Sequence, residues 1–164
     1  MIHVYTGNGK GKTTAAIGLA IRAYGRKKRV KIIQFMKNGG YGEIMALKKL
    51  GIDVEQFGRA EFVDRDNPER VDMELAEKAL ARALDVLPLC DLLVLDEINV
   101  AIDYRLIKLE DTLELMEKAK DMELVLTGRY ANERIIEKAD YVTEMREIKH
   151  PYRRGIEGRE GVEF

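Results

Sequence analysis

The chain of 164 residues contains one cysteine, no tryptophan, no serine and two histidines. Without serine, and with only Cys90, His3 and His150, no Ser/His/Asp or Cys/His nucleophile arrangement can be assembled. A single cysteine also excludes an intramolecular disulfide and a multi-thiolate metal cluster, and it suits a reducing compartment. We expect Cys90, which lies among leucines, to be a small core residue.

Long hydrophobic runs are missing as well. No stretch approaches the ~20 consecutive apolar residues of a membrane-spanning helix, and the N-terminus lacks the basic and apolar regions of a secretion signal. The chain also has no excess of basic or of acidic residues: 28 basic and 29 acidic residues give a formal net charge of −1. We therefore expect a cytoplasmic protein that binds neither a membrane nor nucleic acid through a general electrostatic field.

The composition and length favour one folded domain spanning residues 1–164. The chain is 46% hydrophobic and 35% charged, which argues against disorder. A chain of this length buries roughly 70% of the surface that its unfolded form exposes, so one core suffices. Any ligand must then be recognised by a local site.

Six short apolar runs alternate with segments of helical periodicity. Several runs are nearly continuous in hydrophobicity, which is typical of parallel strands covered on both faces. The predicted strands are 2–6, 30–36, 52–57, 91–96, 123–127 and 141–145, and the predicted helices are 13–24, 43–50, 69–87, 110–119 and 132–138. This order predicts an α/β fold with a mostly parallel sheet of about six strands and helices on both faces. Ligands of such sheets bind beyond the carboxyl ends of the strands.

Two helices carry further expectations. Pro68 and Pro88 flank the segment 69–87 and indicate where that helix begins and ends. The segment 13–24 is almost entirely small or apolar, with Arg22 as its only charge, so we expect it to pack on several sides. Arg22 would then reach a ligand or form a buried structural ion pair.

The glycine-rich stretch TGNGKGKTT directly follows the first predicted strand. A loop of this kind before a helix can turn successive backbone N–H groups toward an anion, and the helix dipole reinforces the attraction. Its last lysine would reach phosphate oxygens, and the next hydroxyl would ligate Mg²⁺. The strict G-x-x-x-x-G-K-[ST] pattern has glycine where this chain has its first threonine. We predict a phosphate-binding loop rather than a simple turn, formed by Thr6, Gly7, Asn8, Gly9, Lys10, Gly11, Lys12, Thr13 and Thr14.

Two carboxylates end the fourth predicted strand, in the stretch LLVLDEIN. Carboxylates at the end of a buried strand are costly unless they meet cations. We therefore predict that Asp96 and Glu97 bind Mg²⁺ together with Thr13, directly or through water. The alternative is a structural role, such as capping the next helix.

Other candidates are less specific. Arg129 and Lys37 each follow a predicted strand end, where a cation would meet phosphate or ribose, although an ordinary ion pair is the alternative. His3 and His150 are expected to be structural. The C-terminal segment 155–164 is rich in glycine and charge, so it is either a mobile end or a flap over a ligand. From the residues alone, the reading stops at a protein that binds Mg²⁺ and a nucleoside triphosphate, because a P-loop serves kinases, hydrolytic switches and other transfers alike.

Five stretches, in order along the chain, resemble the P-loop ATP:corrinoid adenosyltransferases that make adenosylcobalamin: TGNGKGKTTAA, VKIIQFMKNG, VLDEIN, LTGRYANERIIEKADYVTEM and KHPYRRGIEGREGVEF. The resemblance implies a single-domain P-loop NTPase fold of the RecA-like type. It also implies that a reduced Co(I) corrinoid attacks the 5′ carbon of ATP and that triphosphate leaves intact.

That resemblance implies catalytic roles for Lys12, Thr13 and Glu97, with Asn8 and Arg129 near the nucleotide. It further implies a homodimer and an electron-donating flavoprotein as partner. No protein nucleophile or general base is required in such a reaction, since positioning and charge stabilisation supply the catalysis.

The segment AEFVDRDNPER departs from the family pattern. Family members carry an aromatic-rich stretch there, including a tryptophan that helps to displace the lower axial ligand of the corrinoid. Phe62 matches the phenylalanine of that stretch, and we expect it to contact the corrinoid, whereas Asp64 stands in place of the tryptophan. A relative with another acceptor is one alternative. The other is a P-loop phosphotransferase or ATP-hydrolysing regulatory module.

Overall fold

The computed structural model describes residues 1–162 and contains one sheet of six strands. Short apolar, partly β-branched runs form these strands; the four inner strands are buried on one or both faces, whereas the two edge strands are half-buried or exposed. The strands are β1 (Ile2–Thr6), β2 (Val30–Phe35), β3 (Asp53–Phe57), β4 (Leu92–Asp96), β5 (Glu123–Thr127) and β6 (Tyr141–Glu144). All six predicted strands are confirmed, with ends within one residue of those predicted.

Six helices connect the strands, and two 3₁₀ turns lie at Leu87–Leu89 and Pro151–Arg154. The helices are α1 (Lys12–Tyr24), α2 (Gly42–Leu50), α3 (Arg70–Val86), α4 (Ile98–Asp103), α5 (Leu109–Lys118) and α6 (Glu133–Lys138). The five predicted helices are present. The helix α4 was not predicted, because six residues are too few to show a helical period.

Every strand pairs in parallel with its neighbours, in the order β3-β2-β4-β5-β1-β6. The carboxyl ends of all six strands therefore lie at one edge of the sheet, called here the carboxyl edge, and their beginnings form the amino edge. The predicted α/β fold with a parallel sheet is confirmed. The strand β5 lies between β1, which leads into the glycine-rich loop, and β4, which ends in Asp96.

Two apolar clusters cover the two faces of the sheet. Because successive side chains of a strand point to opposite faces, Ile32 packs with α1 and α2 residues while Ile33 packs with α3 and α4 residues. Cys90 is buried in the second of these clusters, as predicted, and burial raises the pKa of its thiol. Within residues 1–162, no helix is both long and apolar enough to cross a membrane.

The expectation for helix 13–24 is wrong. Only Lys12, Ala16 and Ala20 of α1 are buried, and the opposite face carries Ile21 and Tyr24 at 42% and 38% exposure. Arg22 is exposed, so it forms no buried structural pair, and it lies beside Met1 and His3 at the amino edge. Small residues on α1 reflect close packing on the sheet along one stripe, not burial all round.

Candidate functional site

The glycine-rich loop lies at the carboxyl edge and packs against the backbone that leaves β6. Gly9 N–H donates to the carbonyl of Met145 at 2.6 Å, and Met145 N–H donates to the carbonyl of Thr6 at 2.8 Å. A Cβ added at Gly7 or Gly9 would lie 2.5 or 2.6 Å from that Met145 oxygen. These two glycines are therefore required by the neighbouring chain.

Gly11 has a different role in the same loop. Its φ is +118°, in the left-handed region that favours glycine, and no atom lies within 4 Å of an added Cβ. It is the N-cap of α1, where backbone N–H groups have no partner within the helix. The loop thus packs at its beginning on β6 and opens at its end toward a cleft.

Thr6 explains the departure from the strict P-loop pattern. It is the last residue of β1, paired in register with Glu144, and its hydroxyl accepts a hydrogen bond from Ala131 N–H at 3.3 Å. Thr6 therefore connects the loop to the segment after β5. A residue with a strand conformation fits this position, and the turn itself begins at Gly7, whose φ is +94°.

The Lys12 side chain is buried at the base of the loop. It is only 8% exposed, and its Nζ donates to the carbonyl of Gly9 at 2.7 Å. Burial lowers the pKa of Lys12, and the positive charge of Arg129 lowers it further, while the Glu97 and Asp96 carboxylates oppose the shift. An ammonium held mainly by a carbonyl is available to a stronger acceptor.

Asp96, at the end of β4, accepts four hydrogen bonds from side chains and is 1% exposed. Its Oδ1 accepts from the hydroxyls of Thr13 at 2.9 Å and Thr127 at 2.6 Å. Its Oδ2 accepts from the Gln34 amide at 3.0 Å and the Lys37 ammonium at 2.8 Å. Because this buried carboxylate is saturated, it fixes the orientation of Thr13 and Lys37.

Glu97 differs from its neighbour although it is also largely buried. Its φ is +64°, and its N–H donates to the Thr127 hydroxyl at 3.0 Å. Within residues 1–162, no group donates a hydrogen bond to its carboxylate, which lies close to Gly128: an added Cβ there would be 3.2 Å from Oε2. Burial, helped by the charge of Asp96, raises the pKa of Glu97. Glu97 occupies the N-cap position of α4 but does not cap the helix with its side chain.

These residues surround a cleft of about 450 Å³ at the carboxyl edge. The loop residues from Lys10 to Thr14 form one wall, and the other lining residues are Ile17, Lys37, Tyr41, Gly42, Glu43, Glu97, Gly161 and Val162. Lys10 Nζ donates to the carbonyl of Val162 at 2.8 Å. The described part of the C-terminal segment therefore lies at the mouth of the cleft; residues 163 and 164 lie outside the described residues.

The donor set at this cleft fits Mg²⁺ only in part. Mg²⁺ prefers oxygen ligands, and proteins commonly supply one or two carboxylates while phosphate oxygens and water complete the coordination. The Thr13 hydroxyl and the unbonded Glu97 carboxylate are such ligands. Residues 1–162 contain no group of three His, Cys, Asp or Glu residues that could hold a metal unaided. The site thus suits a metal that arrives with a polyphosphate.

The remaining predicted residues lie at varying distances from the cleft. Asn8 and Thr14 are exposed on the loop, and Arg129 is exposed after β5, near enough to Lys12 and Glu97 to affect both pKa values. Phe62 is fully exposed and does not line the cleft. It belongs to the segment 58–69, which Arg59 anchors by an ion pair of 2.7 Å with Asp72 at the start of α3.

Both histidines are structural, as expected. The His3 ring stacks on Tyr141 and its Nε2 contacts Glu123 Oε2 at 2.7 Å. His150 Nδ1 accepts from Tyr152 N–H at 3.3 Å at the start of a 3₁₀ turn. The two rings therefore have separate structural contacts.

Sequence reasoning missed several residues of the site. Gln34 and Thr127 bind Asp96, and Tyr41 and Glu43 line the cleft. Gln34 had a visible signal, because it is the polar residue in the otherwise apolar end of β2 and is 1% exposed. The other three have no such signal, since their position depends on strand order and on the path of the loop before α2.

A parallel sheet with a glycine-lysine loop after its first strand and an Asp-Glu pair after its fourth defines an α/β protein of the P-loop NTPase type. Within that class the chain belongs to one family: the model of the ATP:corrinoid adenosyltransferase BtuR/CobO/CobP family matches residues 1–164. The resemblance noted in the sequence is confirmed.

Curated relatives agree with this assignment. A protein of Sinorhizobium sp named corrinoid adenosyltransferase is 38% identical over 171 residues, which cover all of this chain and 80% of the relative. A corrinoid adenosyltransferase of Pseudomonas aeruginosa is 36% identical over 166 residues, covering 98% of this chain and 82% of the relative. One of Escherichia coli K12 is 33% identical over 172 residues, covering all of this chain and 85% of the relative.

Proposed function

We propose that the protein transfers the 5′-deoxyadenosyl group of ATP to the cobalt of a reduced corrinoid. Co(I) donates an electron pair to C5′ of the ribose, the bond between C5′ and the bridging oxygen breaks, and the electrons of that bond leave with triphosphate. Cobalt ends formally as Co(III), bonded to carbon. The observation that carries the proposal is the family match over the whole chain, together with a triphosphate-sized cleft beside the loop.

The proposed role of the loop is to hold the leaving triphosphate. Amides at the open end of the loop and the N-terminus of α1 point to the cleft, where they favour negative charge. Lys12 would exchange its contact with the Gly9 carbonyl for a phosphate oxygen. Donors aimed at charge that develops during the reaction stabilise the transition state more than the substrate, which raises the rate.

Thr13, Asp96 and Glu97 are the residues we propose to hold Mg²⁺, directly or through water, and Asp96 also orients the Thr13 hydroxyl at 2.9 Å. When bound, the ion supplies charge that stabilises the triphosphate as it leaves. Arg129 and Lys37 would contribute forked and point-charge contacts to the same anion. No general base is assigned to Glu97, because the nucleophile is the corrinoid itself.

We also propose that Phe62 contacts the corrinoid and that the protein acts as a homodimer with a flavoprotein electron donor. Phe62 is exposed on the segment 58–69 beyond the carboxyl edge, where a planar ligand could stack on it.

A homodimer is supported by the family resemblance and by the exposed edge strand β6, with Tyr141 and Val142 at 53% and 44% exposure. Sedimentation velocity tests the dimer. A flavoprotein electron donor and a cytoplasmic location rest on the resemblance and on the cysteine count alone.

One assay separates this function from the alternative of a phosphotransferase or ATP-hydrolysing module. The protein is incubated with ATP, Mg²⁺ and chemically reduced cobalamin, and the phosphate products and visible spectrum are followed. We expect triphosphate and a spectrum of a cobalt–carbon bond, both only when reduced corrinoid is present. Accumulation of ADP with an unchanged spectrum would overturn the proposal. Parallel reactions with other corrinoids identify the preferred acceptor.

A further inference from the structure

Lys37 lies where its charge affects metal binding as well as phosphate binding. Its ammonium is 2.8 Å from Asp96 Oδ2 and 3.5 Å from the Thr13 hydroxyl. It therefore approaches the carboxylate and the hydroxyl that a P-loop metal site uses. Burial alone would lower the pKa of Lys37, but the Asp96 charge and hydrogen bond outweigh that effect and the pKa is raised, so the side chain is a cation at neutral pH.

The backbone around Lys37 fixes this placement. The preceding residue, Met36, has a φ of +57°, an uncommon conformation for a residue with a side chain, and its N–H donates to the Phe57 carbonyl at 2.9 Å. Gly58 follows Phe57, and a Cβ there would lie 2.4 Å from the Lys37 nitrogen and 2.5 Å from the Met36 carbonyl carbon. Strained backbone and a glycine without room for a side chain thus hold Lys37 beside Asp96.

Lys37 can also reach the triphosphate. It lines the same cleft as the loop residues Gly11 and Lys12, and its side chain is 20% exposed toward that cleft. A lysine carries its charge on a flexible four-carbon stem, so its ammonium can change partners without a change of backbone. Its Nζ also lies 5.9 Å from the centroid of the Tyr41 ring, and Tyr41 lines the same cleft.

We propose that Lys37 couples the binding of a divalent cation to the binding of a polyphosphate. Its ammonium competes with the cation for Asp96 and Thr13, and it leaves these residues only when a polyphosphate attracts it. A divalent ion on the Thr13 hydroxyl would lie a few ångströms from the Lys37 charge, and like charges at that distance repel strongly in a partly buried site. Metal alone therefore binds weakly, and triphosphate relieves the competition. By linkage, metal and triphosphate each strengthen the binding of the other.

This inference rests on the proposed metal–triphosphate site, and the test uses Mn²⁺ as the probe. Electron paramagnetic resonance of free Mn²⁺ measures metal binding with and without inorganic triphosphate, and calorimetry measures triphosphate binding without metal. The variants are Lys37→Gln and Lys37→Met, the second of which keeps the apolar stem. The control is Lys49→Gln, which removes one positive charge from the exposed face of α2, where Lys49 has no ion-pair partner among residues 1–162.

Both Lys37 variants are expected to bind Mn²⁺ alone at least tenfold more tightly than the wild type, and triphosphate alone at least tenfold more weakly. The control should match the wild type in both. A purely structural role for Lys37 would instead weaken both ligands. Mn²⁺ affinity without triphosphate that is unchanged or reduced in the variants, at an unfolding temperature that shows a folded protein, overturns the inference.

The outcomes also distinguish this inference from the proposed function. If the wild type binds Mn²⁺ and triphosphate together but the variants bind Mn²⁺ alone no better, only the role of Lys37 is wrong. If the wild type fails to bind Mn²⁺ and triphosphate together, the metal–triphosphate site is wrong and both proposals fall. Neither measurement requires corrinoid or turnover.

Discussion

The amino edge and the carboxyl edge of the sheet differ in how completely their charged side chains are paired. At the amino edge, the charges are paired: Arg29 and Asp91 meet at 2.8 Å with side chains 62% and 33% exposed, and the buried Lys31 contacts both Asp53 and Glu55. At the carboxyl edge, Asp96 and Lys12 are 1% and 8% exposed, and Glu97 has no hydrogen-bond donor among the described residues. Charge at the amino edge has partners even where it is buried, whereas buried charge at the carboxyl edge is incompletely matched.

This difference in pairing indicates which edge of the sheet binds a ligand. A buried charge without a full set of partners costs stability, and an apolar residue of similar size would remove that cost. In the proposed function, a bound metal and triphosphate supply the missing partners of the charges at the carboxyl edge. Substitutions of these charged residues should therefore affect binding and rate more than the fold, while substitutions in the exposed Arg29–Asp91 pair of the amino edge should affect neither by much.

The largest effect is expected for Lys12→Ala. It removes a donor from the proposed triphosphate site, and loss of one such donor typically costs 10²- to 10³-fold in turnover, about 3–4 kcal/mol. The unfolding temperature should not fall by a comparable amount, because among residues 1–162 the buried ammonium donates a single hydrogen bond, to the Gly9 carbonyl. Turnover and thermal unfolding are measured together, with Lys49→Ala as the control for loss of one charge. Near-normal turnover would remove the loop from the mechanism.

Gly9→Ala is expected to have the next largest effect, this time on stability. An added methyl would lie 2.6 Å from the Met145 oxygen, and overpacking of this kind costs about 1–3 kcal/mol. The matched control is Gly18→Ala on α1, where no atom lies within 4 Å of the new Cβ. Alanine there should stabilise the helix by about 0.5–1 kcal/mol. Urea denaturation measures both, and equal effects of the two variants would contradict the proposed packing.

The glycines of the loop show how much of the site the sequence alone could predict. The nine-residue loop was predicted as a unit, and its position at the carboxyl edge follows from strand–loop–helix order. The structural requirement for each glycine could not be predicted. Gly7 and Gly9 pack against the backbone of Met145, which lies beside them only because β6 pairs with β1. A pattern of spacing identifies a loop but not the distant backbone against which it packs.

The carboxylate pair gives a second example. The continuous apolar run before them predicted that Asp96 and Glu97 end a buried strand, and the structure confirms that position beside the loop. Their different environments could not be predicted. Asp96 is saturated by residues from α1, β2, β5 and the loop after β2, and only the strand order brings these together. The short helix α4 begins directly after Glu97, but it was not predicted because six residues do not show a helical period.

Glu97→Gln should sharpen the contrast with a smaller, opposite effect on stability. Burial raises the pKa of Glu97 above its ordinary value of 4.5, so the folded protein holds this proton more tightly than the unfolded chain. The wild type therefore loses stability as the pH rises from 4.5 through the raised pKa. At pH 7 the variant should be the more stable, by about 2–4 °C for each kcal/mol relieved, and the difference should vanish near pH 4.

Glu43→Gln is the control for Glu97→Gln. Glu43 lines the same cleft but lies in the first turn of α2, where a negative charge is favourable, so its removal should not raise the unfolding temperature. Metal binding should fall in Glu97→Gln if this carboxylate is a ligand. A lower unfolding temperature for Glu97→Gln at pH 7 would show that its charge is satisfied in the folded protein.

The smallest effect is expected for Asp91→Asn at the amino edge. The Arg29 guanidinium and N–H lower the pKa of Asp91 from 3.8 to about 2. The contribution of this ion pair to stability is thus fully present above 3.8 and is lost as the pH falls toward about 2. Because Arg29 is exposed, Asp91 is partly exposed and salt screens the pair, the variant should differ little from the wild type at pH 7, less in 1 M salt, and not at all below pH 2. Turnover should be unchanged. A loss of stability at pH 7 as large as that of Gly9→Ala would mean that the amino edge depends on its charges after all, and the contrast between the two edges would fail.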